Sequence, residues 1–251
     1  MDQEEFQIIG ETPDLLVVDK PAGLLVHPSK PDGTRTLWDG LRELLCYEIA
    51  NAGQVSLINR LDRETSGLVL VAKHPSAARQ AAIAMQEGKI TKTYLALLCG
   101  HPSEKFFSVD APIVRQGEVG PTRIHLKRMV HPCGAKAKTH FRVLQNIENA
   151  LGRFAMVEAQ PVTGRTHQIR IHASHIGHPV LGDKIYGPSE DYYLEFIRTG
   201  WTPALEERLL IRRHALQSAG LKIMWKGEPL EWKIGWAEDL KFFMKDVEID
   251  S

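Results

Sequence analysis

Cysteine is scarce: three in 251 residues, Cys46, Cys99 and Cys133, far apart and with no CxxC pair. That excludes a disulfide framework and fits free thiols in a reducing compartment. Long apolar runs are missing too. The longest, such as Leu15–Val18 and Leu68–Ala72, fall far short of the roughly 20 residues that span a bilayer, so no membrane partner is expected. The opening MDQEEFQ has neither the basic stretch nor the apolar core of a secretory leader, and a cytoplasmic protein is the expectation. Net charge is absent as well: 31 Lys and Arg balance 31 Asp and Glu, which taken alone argues against a nucleic-acid binder. There is no internal repeat and no Ser/Gly linker. With 43% hydrophobic and 25% charged residues, the composition excludes disordered and low-complexity chains and leaves an ordinary globular protein. One continuous domain of enzyme size over 1–251 is expected.

The charges that are present are unevenly spread. Met1–Lys20 holds six acidic residues against one basic, and Glu228–Ser251 seven against three. Pro121–His175 reverses this, with nine Lys or Arg and two Glu. Acidic ends and a basic middle either build a positive face for a polyanion or cancel in three dimensions.

Periodicity gives a mixed pattern. LLVVDKP reads as a strand entering a Pro-Ala-Gly turn, with GLLVHP as a short return strand. Thr36–Ala50 has apolar residues at helical spacing, and a Pro75-initiated helix runs to about Gln86. LVLVAK, TKTYLALLC, KTHFRVLQNI, RFAMVEAQPV and Leu216–Trp225 read as strands. Helices are expected in the His-rich stretch up to about Gly177, over Leu205–Arg213 and over Glu238–Val247. Pro188–Pro203 reads as a surface insertion with a short helix. Strands crowd the middle and helices are scattered, which predicts an α+β fold with a central mixed, mainly antiparallel β-sheet flanked by helices and loops.

Four segments carry chemistry. Val17–Pro28 is a strand, a rigid turn and a His-Pro, by itself more readily read as a structural hairpin than as a site. In NRLDRETSG, Asp62 lies between Arg60 and Arg63, where guanidinium groups would keep a carboxylate ionised; the plainer reading is a local cap. In KTYLALLCG, Tyr94 is either a core ring with a satisfied hydroxyl or a surface on which a base stacks. PVTGRTHQIRIHASHIGHPVLGDKIYG is the richest, with two arginines and four histidines. His167, His172, His175 and His178 follow one another at intervals of five, three and three residues. No HExxH pattern and no cysteine or carboxylate at ligand spacing accompanies them, so satisfied structural histidines are favoured over zinc.

In combination these blocks resemble the signature blocks of the RluA-type pseudouridine synthases, in the right order from about Leu15 to Gly187. The resemblance implies the pseudouridine synthase fold with an RNA-binding cleft, and an enzyme that isomerises specific uridines in structured RNA, tRNA or rRNA. Asp62 matches the family's essential aspartate, Tyr94 the ring that stacks on the base, and Arg165 the arginine that pairs with the aspartate. Ile169 matches the apolar wall of the pocket, and Arg60 the arginine that enters the helix stack where the uridine leaves it. Arg63, His167 and Arg170 are the further expected substrate contacts. Breaking C1′–N1 leaves an electron-poor sugar carbon and an anionic uracil, hence a carboxylate at the sugar; whether it attacks C1′, stabilises the cation or takes the C2′ proton stays open. The isomerisation is redox-neutral, so no metal, nucleotide or organic cofactor is expected, and a monomer is. Two departures stand out: Asn59 occupies the position where the family most often has His before RLD, which would alter or lose a contact with RNA, and the hairpin begins by about Leu15, so that no separate N-terminal RNA-binding domain of the kind many members carry is expected. The alternative reading is an RNA-binding or RNA-folding protein on the same scaffold without isomerase activity.

Overall fold

The computed structural model of the protein describes residues 6–28 and 33–244. In chain order the elements are β1 (Gln7–Glu11), β2 (Leu15–Lys20), α1 (Leu37–Leu44), α2 (Cys46–Ala50), β3 (Ser56–Leu57), β4 (Ser66–Ala72), α3 (Pro75–Gln86) and β5 (Ile90–Cys99). There follow β6 (Phe106–Asp110), β7 (Ile113–Arg115), β8 (Arg128–Val130), β9 (Lys138–Asn149), β10 (Gly152–Pro161), α4 (Gln168–His175), α5 (Asp191–Thr199) and α6 (Pro203–Leu209). The chain ends its described part with β11 (Leu216–Trp225), β12 (Glu228–Lys233) and α7 (Glu238–Lys241). Among the described residues no helix is long and apolar enough to cross a membrane.

The chain forms two compact units, Met1–Thr93 with Gln217–Gly235, and Tyr94–Leu216 with Trp236–Ser251. In the first unit β4 is central. All seven of its residues are buried, as an uninterrupted SGLVLVA run demands of a strand covered on both faces. It pairs antiparallel with β2, from Leu15 opposite Ala72 to Lys20 opposite Gly67, and parallel with β11 at Ser66 and Gly67. Gly67, at φ 109, is required there, because a Cβ would meet the backbone of Ser218. Beneath lie Leu15, Val17, Leu68, Leu70, Ala77, Ala81, Leu221 and Ile223. The N-terminus of α3 is closed by His74, whose Nδ1 accepts from Ala77 N–H while Nε2 faces the Asp14 carboxylate at 2.9 Å. Burial alone would raise the Asp14 carboxyl, yet hydrogen bonds from Lys226, Trp225 and His74 hold it well below the usual range.

In the second unit β5, β10, β9 and β6 run antiparallel in that order, and β7 pairs with β8 in a separate two-stranded ribbon. Tyr94 stands opposite Ala159 on β10. The predicted mixed, mainly antiparallel sheet with flanking helices is present.

Several boundaries depart from the sequence reading. Thr36–Ala50 holds two helices, not one, with the backbone turning at Leu45. The return strand after the Pro-Ala-Gly turn reduces to one bridge, Leu25 with Thr36. The helix expected over Leu205–Arg213 starts earlier and stops at Leu210, which is left-handed at φ 64. Of the helix expected over Glu238–Val247, α7 and a 3-10 turn to Met244 are seen, and the rest lies outside the described residues.

Candidate active site

Asp62 sits in a loop between β3 and β4, and the first unit builds that loop around a lysine. Lys20 ends β2 and is fully buried. A buried ammonium needs its three N–H donors satisfied, and here Nζ donates to the carbonyls of Pro21 (2.8 Å), Leu24 (2.9 Å) and Arg63 (3.2 Å). The Pro-Ala-Gly turn is thereby clamped to the residue after Asp62. Gly23 N–H also donates to Arg63 O, and Arg63 Nε returns the bond to Gly23 O at 3.0 Å. Arg63, expected to touch substrate, thus has one donor committed to the loop. Asp62 itself is half-buried, its carbonyl accepting from Thr65 N–H in a tight turn.

On the other side of Asp62, Asn59 anchors the same loop. It is buried; its Nδ2 donates to Leu68 O at 3.1 Å and its Oδ1 accepts from Leu70 N–H at 2.8 Å. The side-chain amide therefore acts as one more strand residue alongside β4. One donor and one acceptor of the Asn59 amide are thus engaged inside the fold, which agrees with the expectation that a contact with RNA at this position is altered or lost. Arg60 is exposed, and its charge, after burial, helps hold His27 below the ordinary imidazole range.

In the second unit one turn and one helix carry Arg165, His167, Ile169 and Arg170. Gln168, the first residue of α4, organises them and is almost fully buried. Its Oε1 accepts from Thr163 Oγ1 (2.6 Å) and Arg165 N–H (3.0 Å). Its Nε2 donates to Lys138 O (2.9 Å) and Thr139 Oγ1 (3.0 Å). All four capacities of the amide are used, so the turn is fixed to β9. Arg165 is exposed, its Nε donating to Lys136 O at 3.1 Å. His167 is left-handed at φ 58, a conformation that costs a non-glycine residue roughly 1–3 kcal/mol and clusters at functional sites. Its Nδ1 lies 2.7 Å from the Tyr186 hydroxyl. Ile169 and Tyr94 are buried, Tyr94 on β5.

Arg170 is placed differently from the sequence expectation. It is buried, and its Nε and a terminal nitrogen bind the Asp183 carboxylate at 2.6 and 2.8 Å. Asp183 is fully buried and also accepts from Ile185 and Tyr186 N–H, both at 3.0 Å. Burial pushes this carboxyl up, but the Arg170 guanidinium outweighs it and holds the group well below the usual range. The pair locks α4 against the Gly-Asp turn. Of the other histidines, His172 lies between Thr139 Oγ1 (2.8 Å) and Ala111 O (2.9 Å), with burial lowering its basicity, and His178 faces Cys99 O at 2.9 Å. Among the described residues no three of His, Cys, Asp or Glu gather as a metal site.

Sequence reasoning missed Lys20, Gln168, Asp183 and Tyr186 as parts of this framework. Lys20 and Gln168 left no signal beyond a lysine before a turn and a glutamine beside Arg165; Asp183 and Tyr186 lay in plain view within the GDKIYG word.

Comparison with known proteins places these features. The RNA pseudouridylate synthase family matches residues 14–175. Ribosomal large subunit pseudouridine synthase D of Yersinia pestis is 33% identical over 257 residues, covering 98% of this chain and 72% of that protein. The protein of the same name from Haemophilus ducreyi is 35% identical over 222 residues, covering 84% of this chain and 64% of its own length. Among solved structures, human RNA pseudouridylate synthase domain containing 1 superposes with a TM-score of 0.72 at 26% identity, covering 97% of this chain and 90% of that one.

Proposed function

The chain belongs to the RNA pseudouridylate synthase family, enzymes that isomerise uridine to pseudouridine in RNA, and from this we propose that it modifies specific uridines in structured RNA, ribosomal RNA first, with Asp62 as the catalytic carboxylate. The observation that carries the reading is that the blocks holding Asp62, Tyr94 and Arg165 all fall within the matched residues 14–175. Ribosomal RNA is preferred over tRNA because the relatives cited above are named for the large ribosomal subunit.

The chemistry assigns each residue a part. The target uridine leaves its stack at a cost of a few kcal/mol, and Arg60, exposed beside the Asp62 loop, is suited to fill the gap. Asp62 acts at the sugar as C1′–N1 breaks. Tyr94 offers a ring on which the detached uracil turns, a contact worth about 1–3 kcal/mol per base, and Ile169 an apolar wall. C1′–C5 then forms, the C5 proton leaves, and N1 takes up a proton; the Tyr94 hydroxyl is the candidate base at C5. Arg165 supplies positive charge that keeps a carboxylate ionised. His167 and Arg63 contact the RNA, and Arg170 acts from behind through Asp183. The basic middle of the chain meets phosphates. Nothing in this sequence of bonds calls for a cofactor, and a cytoplasmic monomer is consistent with it.

The test is tritium release from RNA labelled at uridine C5, using rRNA and tRNA pools separately. Wild-type protein should release tritium from rRNA, and Asp62→Ala should release none. RNA binding without release from any pool would replace the isomerase with an RNA-binding protein. Equal release by both proteins would remove Asp62 from its role.

A further inference from the structure

Tyr186 ends the Gly-Asp turn and is held at every polar atom. Its N–H donates to Asp183 Oδ1, and its carbonyl accepts from Ser174 Oγ on α4 at 2.8 Å. Its ring packs with Ile113, Ala137, Ile171 and Ile185, carries the Arg170 guanidinium 5.1 Å above it, and meets the His167 imidazole edge-on at 5.6 Å. The hydroxyl lies between two groups far apart in sequence: Arg128 N–H donates to it at 3.1 Å, and His167 Nδ1 is 2.7 Å away. The hydroxyl thus bridges the Arg128 main chain and the His167 ring, with one donor and two lone pairs to do so.

Both neighbours of that hydroxyl have a bearing on RNA. Arg128 opens β8 within Val119–Ile147, a stretch with six Lys or Arg and no Asp or Glu. Arg123 and Lys127 are paired with Asp191 and Glu190, whereas Arg128 and Lys136 have no carboxylate partner among the described residues. His167 is the left-handed residue joining the Arg165 turn to α4, a conformation that surrounding structure has to hold.

We propose that Tyr186 is a positioning residue for the isomerisation: its hydroxyl ties the basic β7–β8 ribbon to His167, so that the surface that meets phosphate and the turn that bears Arg165 keep one register. This rests on the isomerase reading above. The residue touches neither base nor sugar; it acts through His167 and through the Arg128 main chain.

Tyr186→Phe isolates the claim, because the ring keeps its packing, the Arg170 contact and the edge-on contact, and only the hydroxyl is lost. At saturating RNA the single-turnover rate of tritium release should fall about tenfold, the worth of one well-placed hydrogen bond, while the Kd for RNA changes less than about threefold. A purely structural residue would instead lower the folded fraction and leave the rate per folded molecule unchanged. His167→Asn keeps a residue that tolerates the left-handed backbone; on that background Tyr186→Phe should cost less than about twofold, since the two act as one unit. Nitrogen-15 spectra give a readout independent of activity: the His167 ring signals should move in Tyr186→Phe while those of His172 stay. Wild-type rates together with unmoved His167 signals in Tyr186→Phe would overturn the proposal. Absence of release already in the wild type would overturn the isomerase reading, and this role with it.

Discussion

Replacing Asp183 by Asn tests whether the buried ion pair with Arg170 holds α4 in place. The carboxylate is fully buried and takes four hydrogen bonds: two from Arg170 at 2.6 and 2.8 Å, and two from Ile185 and Tyr186 N–H. Asparagine fits the volume. If its Oδ1 keeps the two main-chain donors, its NH2 must face Arg170 Nε–H, donor against donor, and a guanidinium remains buried without a countercharge. Breaking one side of a buried pair in this way costs about 3–5 kcal/mol. For a chain of this size that is a fall of roughly 6–20 °C in Tm. Removing the orphaned charge as well should restore most of it. Arg170→Met with Asp183→Asn leaves the two main-chain bonds intact and fills the guanidinium's space with an apolar chain, so the double variant should lie within about 1–3 kcal/mol of wild type, the range of a lost cation contact and imperfect packing. Urea denaturation of wild type, Asp183→Asn, Arg170→Met and the double variant at pH 7 measures this cycle. The pH dependence has a definite sign. Asp183 is held below the usual carboxylate range in the folded protein, so its contribution is complete above the unfolded value of about 3.9 and is lost as pH falls below it. Asp183→Asn should therefore lack that part of the acid-side decline. An Asp183→Asn protein within about 1 kcal/mol of wild type, or a double variant less stable than Asp183→Asn alone, would refute the reasoning.

Lys20→Met should leave the carbonyls of Pro21 and Leu24 short of a donor, Arg63 O keeping Gly23 N–H, at about 1–3 kcal/mol for each group that finds no substitute, and should lower tritium release per folded molecule by loosening the Asp62 loop; urea denaturation and single-turnover kinetics check the two parts. Asn59→Ala orphans Leu70 N–H, while Leu68 O keeps the Ser218 hydroxyl, for a loss of about 1–3 kcal/mol in the same denaturation experiment, whereas a residue whose side chain merely met RNA would cost almost nothing. At pH 8 a thiol reagent should modify two cysteines quickly, the exposed Cys46 and Cys133, and the third slowly, because burial and the nearby Asp183 charge push the Cys99 thiol up to about 11. Peptide mapping of the fast-reacting sites identifies them, and Cys99 among them would contradict its burial.

The strands of both units were legible because burial on two faces leaves a mark that sequence shows directly. SGLVLVA has no polar residue to turn outward after Ser66, and β5 alternates as a strand with one favoured face should. The blocks holding Asp62, Tyr94 and Arg165 were legible for a different reason. RLDRETSG, KTYLALLCG and GRTHQIR stand in one chain in the order of a known family's signature blocks, and that family matches residues 14–175. Helix ends were harder. At Leu45 neither Gly nor Pro marks the break between α1 and α2, and Leu210 adopts a left-handed conformation that its side chain does not advertise.

What the sequence concealed has a common physical cause. Lys20 binds three main-chain carbonyls, one of them 43 residues away; Asn59 binds the backbone of Leu68 and Leu70; Gln168 reaches Lys138 O; the Tyr186 hydroxyl takes an N–H from Arg128, 58 residues distant. Every residue except proline owns the same N–H and C=O, so a side chain that recognises backbone leaves no complementary residue type elsewhere in the chain to betray it. The Arg170–Asp183 pair was open to recognition, since both partners are charged and lie 13 residues apart in one block. An arginine within a family signature invites a substrate role just as readily. Burial separates the two uses of such a residue: an arginine that meets RNA has to keep donors accessible, as exposed Arg60 does, whereas Arg170 has spent a bidentate face on a carboxylate that water cannot reach. The framework around the candidate residues is thus made of side chains that hold backbone or one another.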